Sequence, residues 1–325
     1  MEHIDNKWFA VVNPHAGSGR TVSEWKKAET LLADRNVEYE CGMTDCKFHA
    51  TEMAFGAAGR GFRRFIAVGG DGTVHEVLDG IMHYISDSRL KGSVVSLSEF
   101  TLAVIPIGSG NDWIKSHNIR QDTETVVDLI ADESFSVQDV VKVSILRSAE
   151  DDAPVRCSYM INVGGIGFDA RICERVNACK DRGQSGRMLY VKSLLYFLMR
   201  YRNSSIEVFC DGEKVYSGVY MSVAFGLGRY SGGGMRQTPD AVLDDGLLDM
   251  TIIPAFPLLR IAREAYKLFN GRFLSIKELV VRKAKSIKVV PASDVSELVE
   301  VDGEVIGCVP VQFDVLEDRI NVLHN

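Results

Sequence analysis

No Cys-x-x-Cys pair occurs in this chain of 325 residues. Its seven cysteines (Cys41, Cys46, Cys157, Cys173, Cys179, Cys210 and Cys308) are odd in number and scattered. That pattern argues against a disulfide framework or a zinc site, and it fits a reducing cytoplasm. Long apolar runs are also missing. The most apolar helical stretch, Tyr190 to Tyr201, is interrupted by Lys192 and Arg200 and falls far short of the roughly 20 residues of a bilayer span. The opening residues, MEHIDNKWF, have no signal-peptide order. The expectation is a cytoplasmic protein; if it acts on lipid, it does so from the membrane surface. Positive charge is not in excess. The chain has 37 basic residues against 44 acidic ones, a net charge of −7, which argues against nucleic acid as a partner. No internal repeat or low-complexity segment is found.

A chain of this length exceeds what one core usually supports, so two domains are expected. The first is organised around Arg64 to Ile81, RFIAVGGDGTVHEVLDGI. Phe65 to Val68 form a short apolar run that predicts a buried strand. Gly69, Gly70 and Gly72 surround Asp71, and Val74, Val77, Leu78 and Ile81 follow at helical spacing. Strand, glycine turn and helix gather backbone N–H groups around one point, which favours an anion. Asp71 would repel a bare phosphate there. It makes more sense holding Mg²⁺, a water on Mg²⁺, or the hydroxyl that accepts a phosphate.

Two further strands end the same way. Trp8 to Val12 stops at Asn13-Pro14, with Gly17 and Gly19 beyond, and no Gly-Lys-Ser/Thr follows to make a Walker A loop. Thr101 to Ile105 ends in Pro106-Ile107-Gly108-Ser109-Gly110-Asn111-Asp112. Val37 to Thr44 reads as another strand, with helices at Phe48 to Ala58 and Thr123 to Ala131. This alternation predicts a parallel α/β sheet whose ligand lies beyond the carboxyl ends of the strands.

These blocks carry a resemblance. NPHAGSGR at 13–20, GGDGTVHEVLDGI at 69–81 and PIGSGND at 106–112 resemble the diacylglycerol kinase catalytic domain, whose family includes bacterial soluble lipid kinases and has sphingosine and ceramide kinases as relatives. GGDGT alone is shared with NAD kinases and phosphofructokinases, and PIGSGND discriminates for the lipid kinases. The resemblance implies an NAD kinase/phosphofructokinase-like α/β N-terminal domain over 1–132. Its cofactor-binding residues for ATP would be Asn13, Gly17, Thr44, Gly69, Gly70, Asp71, Gly72, Thr73, His75, Ser109, Asn111 and Asp112.

From Ser136 the texture becomes β-rich. Val137 to Leu146, Cys157 to Val163, Ser205 to Cys210, Lys214 to Phe225, Leu248 to Ile253, Glu278 to Val290, Glu297 to Val301 and Val311 to Leu316 all read as strands. Asp211-Gly212 is a hairpin signal. A β-rich sandwich domain is expected over 133–312 as the lipid or substrate domain, with 313–325 returning to the first domain and the active site in the cleft between. Gly165, Gly167 and Ala170 match a dinucleotide fingerprint. No strand with an acidic residue follows about twenty positions on, so that reading is set aside.

The resemblance extends to RYSGGGM at 229–235 and DDGLLD at 244–249. It implies a Mg²⁺ held by the Asp245 carboxylate and the carbonyls of Val242 and Leu247. Read alone, the same residues make a tight turn with solvated acids. Leu227 stands where the family often has Asn, which puts a polar contact from that side chain in doubt. Near the C-terminus, Asp302-Gly303-Glu304 resembles a family turn whose glutamate receives the proton of the lipid hydroxyl. In the sphingosine-kinase branch the loop aspartate has that role. Both Glu304 and Asp71 are therefore candidate catalytic residues, with Glu304 favoured as the base. The implied activity is transfer of the γ-phosphate of ATP to diacylglycerol or a related lipid alcohol. The alternatives are a kinase of a soluble alcohol such as NAD, or a non-catalytic nucleotide- or lipid-binding protein.

One charge asymmetry points to a partner. Phe256 to Lys288 holds nine basic residues against two acidic ones (Glu264 and Glu278), a local balance of +7. Leu258, Ile261, Ala265 and Leu268 lie beside them at helical spacing. The segment reads either as a face for anionic membrane or as a solvated helix and strand edge. A homodimer stays open.

Overall fold

The computed structural model describes residues 6–108, 110–151, 153–180, 182, 187–292 and 295–325. The chain divides into two compact units, 1–140 with 317–325, and 141–316. The first unit contains β1 (Trp8–Val12), α1 (Thr21–Asp34), β2 (Tyr39–Met43), α2 (His49–Arg60), β3 (Arg64–Gly69), α3 (Asp71–Leu90), β4 (Thr101–Pro106), α4 (Asp112–Ser116), α5 (Thr123–Ala131) and β5 (Phe135–Gln138). The second runs through β6 (Val141–Leu146), β7 (Pro154–Met160), β8 (Val163–Gly167), α6 (Phe168–Lys180), α7 (Arg187–Leu198), β9 (Ser204–Cys210) and β10 (Glu213–Gly226). It continues with β11 (Leu248–Pro254), α8 (Leu258–Glu264), β12 (Val280–Ala284), β13 (Ser286–Pro291), β14 (Leu298–Val301), β15 (Glu304–Cys308) and β16 (Val311–Val315), before the chain returns as β17 (Ile320–Leu323).

In the first unit the strand order is β2-β1-β3-β4-β17-β5. Every neighbouring pair is parallel except β17 with β5. The chain steps outward from β1 to β2 and then back across β1 to β3, so the order reverses between β1 and β3. Such a reversal leaves a crevice beyond the strand ends, where ligands sit in open α/β sheets. Every residue of β1, and all of β3 after Arg64, is buried, which is why these strands read as unbroken apolar runs rather than alternating ones.

The change of texture read at Ser136 falls inside β5, which pairs antiparallel with the returning β17. The first unit therefore extends to Val140 and resumes at Glu317. The run 137–146, expected as one strand, is two strands in different sheets. The break is at Asp139, which is fully buried and pairs with the Arg319 guanidinium at 2.7 Å. The return is pinned by Asp318, whose carboxylate accepts from Ser96 Oγ and from the Leu97 N–H at 2.6 Å.

A buried imidazole lies close by. His117 Nε2 and Trp113 Nε1–H both meet Gln138 Oε1, at 2.8 and 3.0 Å. Burial lowers the His117 pKa from 6.5 to about 4, with the neighbouring His324 adding to the shift and the Gln138 contact opposing it. The unfolded imidazole takes up a proton below pH 6.5 and the folded one only near pH 4, so the unfolded state binds more protons in that window. The contribution of His117 should be flat above pH 6.5 and lower stability by up to about 3 kcal/mol between pH 6.5 and 4. Thermal melts across this window should show a shallower slope for His117→Gln, and an unchanged slope would remove His117 as the cause.

The second unit is an antiparallel β-sandwich. Its strand order is β15-β14-β8-β10-β9-β13-β16-β6-β7, with β11 added beside β10 and β12 beside β11. The long β10 pairs with β9 through its first half and with β8 and β11 through its second, with register shifts on the way. The sheet thereby folds over, and Gly307 of β15 lies against the Ile145 side chain of β6. The core between the layers includes Val143, Ile166, Val223, Leu227, Met250, Ile287 and Val311, with the Phe225 and Phe313 rings stacked at 4.1 Å. The stretch 278–290, expected as one strand, is broken at Lys285. Asp211 Oδ1 there accepts from the Lys285 and Ser286 N–H groups, so β12 pairs with β11 and β13 with β9 and β16. Asp211 and Gly212 both have left-handed backbones, the hairpin geometry their sequence predicts. Among the described residues no helix is long and apolar enough to cross a membrane.

Candidate active site

In the first unit the sequence-predicted loops converge at the strand ends. Register places Val12 beside Val68 and Met43. Asn13 donates its N–H to Val68 O at 3.0 Å and its Nδ2–H to Thr73 Oγ1 at 3.2 Å. Thr44, buried, donates its N–H to Val12 O at 2.9 Å. The loop after β1 closes on the loop after β4. Gly17 has φ +57°, and a Cβ there would lie 2.2 Å from Ile107 O, so only glycine fits. The loops after β3 and β4 also meet backbone to backbone, since a Cβ on Gly108 would come within 2.7 Å of Gly70 Cα. At Gly72, in the first turn of α3, an added Cβ would meet nothing within 4 Å. The N-terminus of this 20-residue helix is open there, with its positive dipole end presented to an anion.

Asp71 does something the sequence did not reveal. Its Oδ2 accepts from the Asp112 N–H and its Oδ1 from the Trp113 N–H, each at 3.1 Å. The carboxylate thus ties the GGDGT turn to the start of α4, and two peptide dipoles offset its charge. Asp112 is buried and pairs with Lys115 at 2.6 Å. The Oδ2 atoms of Asp71 and Asp112 both lie about 3.5 Å from the point where a Gly110 Cβ would stand. Two carboxylates therefore approach one spot, each already offset by donors. Asn111, in a left-handed conformation, donates Nδ2–H to Gly108 O at 3.0 Å, and its buried Oδ1 finds no partner among the described residues. His75 is buried in α3 with Nε2 3.6 Å from Asp79 of the next turn. Ser109 lies outside the described residues. Beside the loops a cavity of about 440 Å³ is lined by Pro106, Ile107, Gln121 and Thr123 together with two basic residues (Arg20 and Lys27) and three acidic ones (Glu24, Asp122 and Glu124), within the size range of small-molecule sites.

In the second unit the DGE turn is anchored more firmly than a surface hairpin. Asp302 is buried and accepts three backbone N–H groups, from Ile161, Asn162 and Val163, at 2.9–3.0 Å. Its own N–H returns to Val163 O. Glu304 opens β15, half-buried. Asn177 of α6 donates Nδ2–H to Gly303 O at 2.9 Å and reaches Glu304 Oε2 at 3.5 Å. Asn162 ties in a third block. Its carbonyl accepts the Leu227 and Gly228 N–H groups, and its Nδ2–H donates to Tyr230 O. Leu227, placed where the family often has Asn, is a fully buried core residue. Asp169 is half-buried, held by Ser222 Oγ and Gln237 Nε2 at 2.7 Å each. Burial pushes its carboxyl up. Gln237 in turn accepts from Ser231, so GFDA and RYSGGGM are linked. Asn162, Asp169, Asn177 and Asp302 were missed as positioning residues. The only hint in the sequence is a glycine close to Asn162, Asp169 and Asp302; Asn177 has none within one turn.

The expected Mg²⁺ ligands at 242–247 do not form a bare cation cage. Asp245 Oδ1 accepts the Leu247 N–H at 3.1 Å, and Oδ2 lies 3.4 Å from the Lys283 ammonium. The same ammonium contacts Asp249 Oδ2 at 3.0 Å and Asp240 O at 3.2 Å. Burial pushes the Asp249 carboxyl up even with Lys283 beside it. The loop already has a cation, the Lys283 ammonium, among its oxygens. Among the described residues no group of three or more His, Cys, Asp or Glu side chains is disposed to hold a metal ion.

Comparison with known proteins accords with this geometry. Residues 7–143 match the family described as "Diacylglycerol kinase catalytic domain" and residues 162–324 the "YegS C-terminal NAD kinase beta sandwich-like domain". A diacylglycerol kinase of Bacillus subtilis (strain 168) is 29% identical over 310 residues, covering 94% of this chain and 93% of that protein. A diacylglycerol kinase of Mycobacterium tuberculosis (strain ATCC 25618 / H37Rv) is 25% identical over 288 residues, covering 88% and 86%. A crystal structure of a diacylglycerol kinase from Bacillus anthracis str. Sterne superposes with a TM-score of 0.70 at 23% identity, covering 98% of this chain and 97% of that one. That last likeness is one of fold.

Proposed function

Since this chain belongs to the diacylglycerol kinase family of lipid kinases, a family of phosphotransferases, we propose that it transfers the γ-phosphate of ATP to the hydroxyl of diacylglycerol or a related lipid alcohol. The observation that carries this reading is the Asp71 carboxylate bound to the first N–H groups of α4. It joins the loops after β3 and β4 into one unit beside the β1–β3 reversal of strand order, and its own charge is offset where a triphosphate would otherwise be repelled.

In this reading the open N-terminus of α3 and the 69–73 backbone hold the phosphates. Asn13, Thr44, Thr73 and Asn111 supply hydrogen bonds to phosphate or ribose. Asp71 and Asp112 offer the hard oxygen donors that suit the Mg²⁺ travelling with ATP, which would supply charge neutralisation on the phosphates. Glu304 takes the proton of the acceptor hydroxyl as that oxygen bonds to the γ-phosphorus and the β–γ bridging oxygen leaves with ADP. Phosphoryl transfer asks mainly for positioning and charge neutralisation, and Asp302 and Asn177 position the base.

The test is incubation with γ-labelled ATP and separate acceptors: diacylglycerol, a sphingoid base and NAD. Label is expected in the organic phase with diacylglycerol. Label in NADP would overturn the lipid reading, and transfer to no acceptor would overturn catalysis.

A further inference from the structure

We infer that α8 and the turn after it, residues 257–272, form a docking face for the surface of an anionic lipid bilayer. Only one side of this segment is used by the fold. Ile261 packs against the Phe168, Ile172 and Met221 cluster, and no residue of α8 is fully buried. The outer side is not polar, as a solvated helix would be. Leu258 is 49% exposed, Leu259 88%, Tyr266 58% and Phe269 59%. Single exposed apolar side chains are ordinary, but four large ones within three or four turns of chain form a patch.

Charge decides what such a patch would meet. Arg260, Arg263, Lys267 and Arg272 lie among the apolar residues, with Glu264 the one acidic residue of the segment. Glu264 is shared by Arg263 and Lys267, at 3.1 and 2.7 Å, and Arg260 reaches out to Glu278. Arg236 adds a fifth cation, with Nη1 3.2 Å from the position of a Gly271 Cβ. The excess is positive in a chain whose total is −7. Apolar side chains set among arginines and lysines suit a bilayer interface. The rings and leucines enter the acyl boundary while the cations stay among anionic headgroups.

The use of this face rests on the lipid-kinase reading, because a lipid alcohol resides in a bilayer. The binding itself does not rest on that reading and is measured without catalysis. The full chain is co-sedimented with vesicles of phosphatidylcholine alone or mixed with phosphatidylglycerol. Binding is expected to rise with phosphatidylglycerol and to fall at least about tenfold for Leu259→Asp combined with Phe269→Asp. These side chains are exposed, so thermal melting should be unchanged. Activity on detergent-dispersed diacylglycerol should also be unchanged, while activity on vesicles falls. Binding indifferent to phosphatidylglycerol, or retained in the double variant, would overturn the inference. So would a mass in light scattering that drops from dimer to monomer in that variant, since a second copy would then own the face. Full vesicle binding without phosphate transfer would leave the docking standing and sink the kinase reading alone.

Discussion

Glu304→Gln is expected to lower turnover by about 10²–10⁴-fold, the usual contribution of a positioned general base, while ATP binding stays within about twofold of wild type. The two readouts separate because the residues proposed for the nucleotide belong to the first unit, whereas Glu304 opens β15 in the second. Glutamine keeps the size of the side chain and its contact to Asn177, which lies 3.5 Å from Oε2. What it cannot do is accept a proton. Single-turnover phosphoryl transfer and equilibrium ATP binding on the same variant provide the measurement. Joint loss of both would mean that Glu304 shapes the fold or holds the nucleotide. Full activity would return the role of base to Asp71. That residue is not equivalent in geometry, since each of its carboxylate oxygens already accepts a backbone N–H.

Asp302→Ala should destabilise the second unit by about 3–5 kcal/mol. Three buried N–H groups lose their acceptor at once, and each unsatisfied buried donor costs roughly 1–3 kcal/mol. An exposed turn aspartate would cost under about 0.5 kcal/mol, so denaturant unfolding distinguishes the two pictures cleanly. Asp302→Asn should fall between them. Its remaining oxygen can keep the Asn162 and Val163 N–H groups, but the new amide would point a donor at the Ile161 N–H, which Oδ2 now accepts. Because Asp302 fixes the start of β15, both variants should also lower activity at temperatures where the fold survives.

The contrast between Asp302 and Phe65 shows how much of this molecule could be read from its sequence. Phe65 to Val68 is a four-residue apolar run followed by glycines, and β3 with the turn into α3 is found where that run places it. Local signals of this kind located the strands and glycine loops of the first unit. Asp302 looks like an ordinary Asp-Gly turn because its three partners lie about 140 residues away along the chain. Asp139 misled in the same way. It sits inside the run 137–146 with no glycine or proline to mark a break, and its partner is Arg319. The tie from Asp71 to the Asp112 and Trp113 N–H groups went unseen because α4 is too short to leave a periodic signal. The Asp245 turn was read for its oxygens, while the ammonium among them arrives from Lys283 on another strand. Where one carboxylate gathers donors from distant segments, sequence spacing carries no trace of it.

Strand β17 has a consequence for how the chain comes into being. It lies inside the first sheet, parallel to β4 on one side and antiparallel to β5 on the other, yet a ribosome makes it only after the entire sandwich has been synthesised. Until then β4 and β5 expose their backbone groups along a gap one strand wide, the kind of open edge that recruits foreign chains. The sandwich is free to mature while its elder neighbour waits, and the last piece of sheet then arrives with Asp318 and Arg319 at its leading end as latches. Birth order and assembly order are thus reversed: the first unit starts first and finishes last.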